Sequence, residues 1–289
     1  QKKQWVIMPA DKRVDDLAGS LRISPLLAQV LLNRGITEPG SGSVFLRPKL
    51  TELIPPEKMP GIGKAVARIK QAIHKKQKIT VYGDYDVDGI SGVSILWQIL
   101  TMLGANVDYY IPHRIDEGYG LNGEAVDAIS KAGTQLLITV DCGITDLESA
   151  QAANRFGMEL IITDHHQFSD ELPLAAAIVH PALEADYPNQ DSSGALVAYK
   201  LAWAVANEFN PGQRLEPALR DFMINATTLA AIGTIADVVD LRGENRIVTS
   251  YGLSSLPACS LCGIQALIET AGLTGQGLDS FDIGFRLAP

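Results

Sequence analysis

The chain has 289 residues, 46% of them apolar, and a formal net charge of −9 from 24 Lys and Arg against 33 Asp and Glu, enough apolar material for one large folded domain or a domain with a small appendage. No apolar run is long enough to cross a bilayer, Gln1-Lys2-Lys3-Gln4-Trp5 lacks the apolar stretch of a secretory signal, and three cysteines cannot staple a domain of this size, so a soluble cytoplasmic protein is expected. Net acidity argues against a broadly basic nucleic-acid surface, although carboxylates gathered around divalent cations carry negative charge that the metals cancel.

Residues 1–60 mix short helical patterns with Pro and Gly and are expected to form an N-terminal helical arm. Within it, Ser24 before Pro25 and Gly35 after the last apolar residue bracket one helix. A second helix is predicted over 62–76, after which strands and helices alternate. Apolar strand runs lie at 79–82, 107–111, 136–140, 160–163 and 175–179, with amphipathic helices near 90–103, 123–131 and 146–156. Such alternation predicts an α/β fold, a mainly parallel β-sheet flanked by helices. Beyond Tyr187 the pattern turns helical, over 194–209, then 217–236, then shorter pieces that include a lone C-x-x-C at Cys259 and Cys262. With no second pair to complete a zinc site, these two are read as ordinary thiols. Residues 61–289 are therefore expected to form the main α/β domain, with a helical C-terminal region.

Three of the predicted strands run into acidic or histidine clusters: Asp84-Tyr85-Asp86-Val87-Asp88-Gly89, Asp141-Cys142-Gly143 and Asp164-His165-His166. In an open parallel sheet the C-terminal strand ends share one edge, where ligands bind, so these groups are expected to converge. Converging carboxylates repel unless a cation turns the crowding into coordination. Asp84, Asp86 and Asp88 alternate along what reads as extended chain, and are expected to aim to one side of a loop whose tight turns Gly83 and Gly89 allow. Asp237 follows the apolar run 228–236, a helix expected to be buried and to deliver it to the same edge. Carboxylates with one or two imidazoles suit Mn²⁺ or Mg²⁺, with nitrogen favouring Mn²⁺. Taken singly, each cluster has a bland reading as a solvated turn, a calcium-type loop or a helix cap. Their coincidence at three strand ends is what argues for a site.

These residues resemble the DHH phosphoesterase superfamily, whose signature triplet is matched by Asp164-His165-His166, and within it the RecJ family of single-stranded-DNA exonucleases. The likeness runs from about Ser24 to Pro289. It includes Val81-Tyr82-Gly83-Asp84-Tyr85-Asp86-Val87-Asp88-Gly89, Ile111-Pro112-His113-Arg114, Glu117-Gly118-Tyr119-Gly120, Ser193-Gly194-Ala195 and Gly233-Thr234-Ile235-Ala236-Asp237-Val238-Val239. The resemblance implies 5′-to-3′ hydrolysis of single-stranded DNA in repair and recombination, with two Mn²⁺ or Mg²⁺ ions. Asp86, Asp141 and Asp237 would hold one ion, Asp88, Asp141 and His165 the other, with Asp141 bridging. Asp84 and His166 would stand beside them for orientation or proton transfer, and Arg114, Tyr119, Ser193 and Gly194 would face the substrate. Leu196 departs from the small residue usual after the Ser-Gly-Ala block. The resemblance further implies a second domain that closes the cleft, expected beyond residue 289, and contacts with a helicase or single-strand-binding protein through parts outside this sequence. Two rival readings are a DHH enzyme acting on small phosphates or short oligonucleotides, and a scaffold without catalysis. The presence of every expected acid and His165 argues against the second.

Overall fold

The structure is a computed structural model and describes residues 6–212 and 214–289. It divides into two compact units, Gln1–Leu53 and Ile54–Pro289. In the first, three short helices, α1 (Val14–Leu21), α2 (Pro25–Asn33) and α3 (Pro39–Leu46), bury Leu17, Ala18, Ala28, Leu31, Leu32 and Ile36. The Ser24 hydroxyl accepts from Leu27 N–H and Pro25 occupies the first turn of α2, as the sequence implied. The expected boundary at residue 60 moves back to 53 for a physical reason. Ile54 N–H donates to Glu244 at 2.9 Å, and the Ile54 carbonyl accepts from Lys200, so 54–60 are tied into the second unit.

That unit is built on five strands: β1 (Lys78–Gly83), β2 (Asn106–Tyr110), β3 (Leu136–Val140), β4 (Glu159–Thr163) and β5 (Ala177–Val179). They form one sheet in the order β2-β1-β3-β4-β5, every neighbouring pair parallel. Helix α4 (Ile62–His74) precedes β1; α5 (Val87–Met102), α6 (Gly123–Lys131) and α7 (Leu147–Arg155) connect β1 to β2, β2 to β3 and β3 to β4, and α8 (Gly194–Phe209), α9 (Pro217–Ala236), α10 (Gly243–Ser255) and α11 (Cys262–Thr270) follow the strands. Side chains alternate across the pleat. Tyr82, Leu137, Leu160 and Ile162 pack with α6 and α7 around Val126, Ile129 and Ala153, whereas α4, α5 and α8 cover the other face. No single helix among the described residues is long and apolar enough to cross a membrane.

Two features of the sheet decide where chemistry can sit. Gly83 is in register with Val140, Val140 with Thr163, and Thr163 with Val179. The next residues along, Asp84, Asp141, Asp164 and His180, therefore form a row along one edge. Their backbone continues the ladder, with Asp84 N–H on Val140 C=O, Asp141 N–H on Thr163 C=O and Asp164 N–H on Val179 C=O. The order also reverses between β1 and β3. The chain leaves β1 toward β2 on one side and returns to β3 on the other, which opens a crevice between the loops after those two strands.

Candidate metal centre

The loop after β1 is shorter than the sequence pattern suggested. Asp84, Asp86 and Asp88 do not alternate along extended chain: Asp86 is the N-cap of α5, its carboxylate accepting from Gly89 N–H at 2.9 Å, and Asp88 lies in the first helical turn. Capping won because the carboxylate satisfies an otherwise orphaned helix N–H. Gly89 is therefore helical, and its value is close approach rather than a turn, since a β-carbon there would stand 2.6 Å from the Asp84 carbonyl oxygen.

Asp88 is buried and points at the start of α8. Gly194 N–H donates to one of its oxygens at 2.6 Å and Ala195 N–H to the other at 3.0 Å, so the helix terminus holds a carboxylate in place. Ser193 and Gly194 are thereby corrected. Both are buried rather than open to a substrate. The Ser193 hydroxyl caps α8 by accepting from Leu196 N–H and lies 3.1 Å from the Thr234 hydroxyl. Gly194 leaves room for Asp141, whose Cβ would be 2.6 Å from any β-carbon added there.

Asp141 follows β3 in the left-handed region, with φ 63°, a conformation that Asp tolerates better than most residues and that concentrates at functional sites. Asp237 is the C-cap of the buried helix α9, and the next residue, the exposed Val238, is also left-handed with φ 60°. For a β-branched residue this is a costly turn, and it ends α9 where Asp237 meets the cluster.

His165 stands at the centre. Its Nε2 lies 3.0 Å from Asp141 Oδ1, 3.7 Å from Asp237 Oδ2 and 3.8 Å from Asp88 Oδ2. Three triads place one donor atom from each member within 4.8 Å of the others: Asp88, His165 and Asp237; Asp84, Asp86 and Asp141; and Asp141, His165 and His166. This grouping departs from the resemblance-based one by placing Asp237 with Asp88 and His165, and Asp86 with Asp84. Asp141 still touches two triads. Arg114 stacks its guanidinium on Tyr85, 5.2 Å from the ring centre, and Tyr119, exposed, sets its hydroxyl 3.1 Å from His166 Nε2.

The electrostatics of the cluster favour a bound cation. Burial, with repulsion from Asp86, pushes Asp84 up to about 6; burial, with Asp86 again, pushes Asp88 up to about 6; burial, with Asp88, does the same to Asp237. Asp141, among four other acids, rises well above the usual carboxylate range, chiefly through burial. Burial holds His165 below its ordinary value, which favours the neutral ring that can ligate a metal. Asp84 Oδ1, Asp141 Oδ1 and His165 Nε2 are shut off from solvent and make no aligned hydrogen bond among the described residues, the last two approaching to 3.0 Å without hydrogen-bond geometry, a costly state unless something binds them. An oxygen-rich set with one imidazole fits Mn²⁺ or Mg²⁺.

Sequence reasoning gave Asp164 no role of its own. Its buried carboxylate accepts from Ile144 N–H at 3.0 Å, His165 N–H at 2.7 Å, His166 N–H at 3.1 Å and His166 Nδ1 at 2.8 Å. The carboxylate accordingly stays below its ordinary range despite burial, and its hydrogen bond raises His166. Asp164 thus orients both histidines. The signal was present in its position one residue past β4, matching Asp84 and Asp141.

The profile described as "DHH family, N-terminal domain" matches residues 78–227. A single-stranded-DNA-specific exonuclease RecJ of Bacillus subtilis is 40% identical over 100% of this chain, which spans 35% of that relative's length. A crystal structure of exonuclease RecJ bound to manganese superposes with a TM-score of 0.71 at 38% identity, covering 80% of this chain and 56% of the other. RecJ from Thermus thermophilus in complex with Mn²⁺ gives 0.78 at 33% identity, covering 96% and 38%. With its profile match over more than half the chain and the Asp164-His165-His166 triplet at the head of the crevice, this chain belongs to the DHH family.

Proposed function

We propose that this chain carries the metal-dependent phosphodiesterase core of an exonuclease that hydrolyses single-stranded DNA from the 5′ end, in repair and recombination. The observation that carries the reading is the meeting of Asp84, Asp86, Asp88, Asp141, His165 and Asp237 at one sheet edge, with orphaned oxygen and nitrogen donors. Asp86, Asp88, Asp141, His165 and Asp237 would hold two divalent ions. Bound there, the ions supply an acidified water and an electrostatic sink for phosphate charge.

The protein's own groups do the rest. His166, with Nδ1–H given to Asp164, keeps Nε2 beside the Tyr119 hydroxyl and moves a proton at the leaving oxygen. Asp84 orients its neighbours. Arg114, braced on Tyr85, offers a planar cation to a substrate phosphate. Tyr119 offers a ring to an unstacked base, on a loop fixed by Glu117, which accepts from Tyr110 Oη at 2.5 Å and His113 N–H at 2.6 Å. A further domain would complete the cleft and bind more of the strand.

The test compares Mn²⁺-dependent cleavage of 5′-labelled single strand, duplex and pyrophosphate. Preference for pyrophosphate would favour the small-phosphate reading instead. Asp141→Ala is expected to lower single-strand cleavage by at least about 100-fold; near-normal rates would end the scheme.

A further inference from the structure

His180 occupies the fourth place in the row of strand-end residues, following Val179 of β5 as Asp164 follows Thr163 of β4, and no step above uses it. It is 1% exposed. Its Nδ1 lies 3.1 Å from Ala182 N–H and its Nε2 lies 2.9 Å from the His166 carbonyl oxygen. A backbone N–H only donates, so Nδ1 is the bare acceptor, and the proton of the neutral ring sits on Nε2, where it is donated to His166 C=O. Phe168 meets the ring edge-on, centroids 4.8 Å apart at 82°, which fixes its plane.

On the other side of residue 166, Asp164 takes both the backbone N–H and Nδ1. The His166 unit is therefore gripped from its amide side by the end of β4 and from its carbonyl side by the end of β5. On that backbone the ring keeps Nδ1 on Asp164 at 2.8 Å and 3.9 Å from Asp141 Oδ1, with Tyr119 Oη 3.2 Å from Nδ1 and 3.1 Å from Nε2. We propose that His180 is a positioning residue whose Nε2–H, held on the His166 carbonyl, sets the turn after β4 that aims the His166 imidazole into the crevice. This rests on the proton-transfer role given to His166 above; the orientation itself is separately measurable.

The test uses the complete chain with His180→Leu, which fills the space without a donor, and His180→Gln, whose side-chain amide reaches the same carbonyl. Four quantities are read: the ¹⁵N imidazole spectrum of His166, the thermal midpoint, and kcat and KM for Mn²⁺-dependent cleavage of a 5′-labelled single-stranded oligonucleotide. His180→Leu is expected to lower kcat by about tenfold or more with KM within about twofold, and to shift the His166 imidazole resonances from their position in the unaltered protein at the same pH. His180→Gln is expected to restore both. A Leu variant with wild-type kcat and an unchanged His166 pattern, or a folded Gln variant that has lost that pattern, overturns the proposal; if the Leu variant does not fold, the Gln variant alone decides. If the unaltered protein cleaves no DNA, the proposed function fails, and the spectra still decide whether His180 orients His166.

Discussion

Removing divalent ions is expected to make the folded protein lose stability as pH rises from 4 to 7, the opposite of ordinary acid denaturation. Asp84, Asp88 and Asp237 move from 3.8 up to about 6 on folding without metal. A carboxyl raised in the folded state contributes stability that is complete below its unfolded value and is lost as pH climbs through the folded one. At about 1.36 kcal/mol per pH unit, each of these shifts amounts to about 3 kcal/mol by pH 7. The repulsions are mutual, so the cluster's total lies between about one and three times that figure. Even the lower bound corresponds to about 6 °C in thermal midpoint for a chain of this size. Calorimetry in EDTA at pH 5 and pH 8, repeated with Mn²⁺ or Mg²⁺, reads it directly. The ions are expected to raise the midpoint more at pH 8 than at pH 5, and Asp237→Asn to flatten the dependence in EDTA. Equal stabilisation at the two pH values, or none, would refute the claim that buried repulsion is held in check by metal.

Two further outcomes test the supporting structure. Gly194→Ala places a β-carbon 2.6 Å from both Asp141 Cβ and Asp141 Oδ1, and is expected to cost about 1–3 kcal/mol and to weaken Mn²⁺ binding, read by thermal melting and titration calorimetry. Lys200 and Glu244 form a buried ion pair that also engages Tyr187 and Ile54. Lys200→Met strands the Glu244 charge and is expected to cost about 3–5 kcal/mol in urea unfolding, whereas Lys200→Met with Glu244→Gln recovers at least half of it.

Much of the architecture was legible because periodicity and capping are local. The strand at 136–140 and the helices at 123–131, 194–209 and 217–236 fall where the pattern put them. Ser24 and Pro25 start their helix as their chemistry dictates. The gathering of acids at one edge was legible too, since in a parallel sheet every C-terminal end faces the same way.

What the sequence could not supply was pairing between distant residues. Ser193 and Gly194 read as candidates for substrate contact, but only the packing of α8 against α5 shows their backbone and hydroxyl turned inward to Asp88 and Thr234. The loop after β1 read as extended because alternating aspartates look alike in a strand and in a cap, and the Asp86 hydrogen bond to Gly89 N–H decides for the helix. His180 carried no motif, and its place beside His166 follows from the β4–β5 register and nothing nearer in sequence. Composition and periodicity thus determined which elements form and that carboxylates crowd one rim. Tertiary structure alone decided which donors meet, because distances of 3–4 Å between side chains far apart in the chain depend on strand register and helix packing that no local pattern encodes.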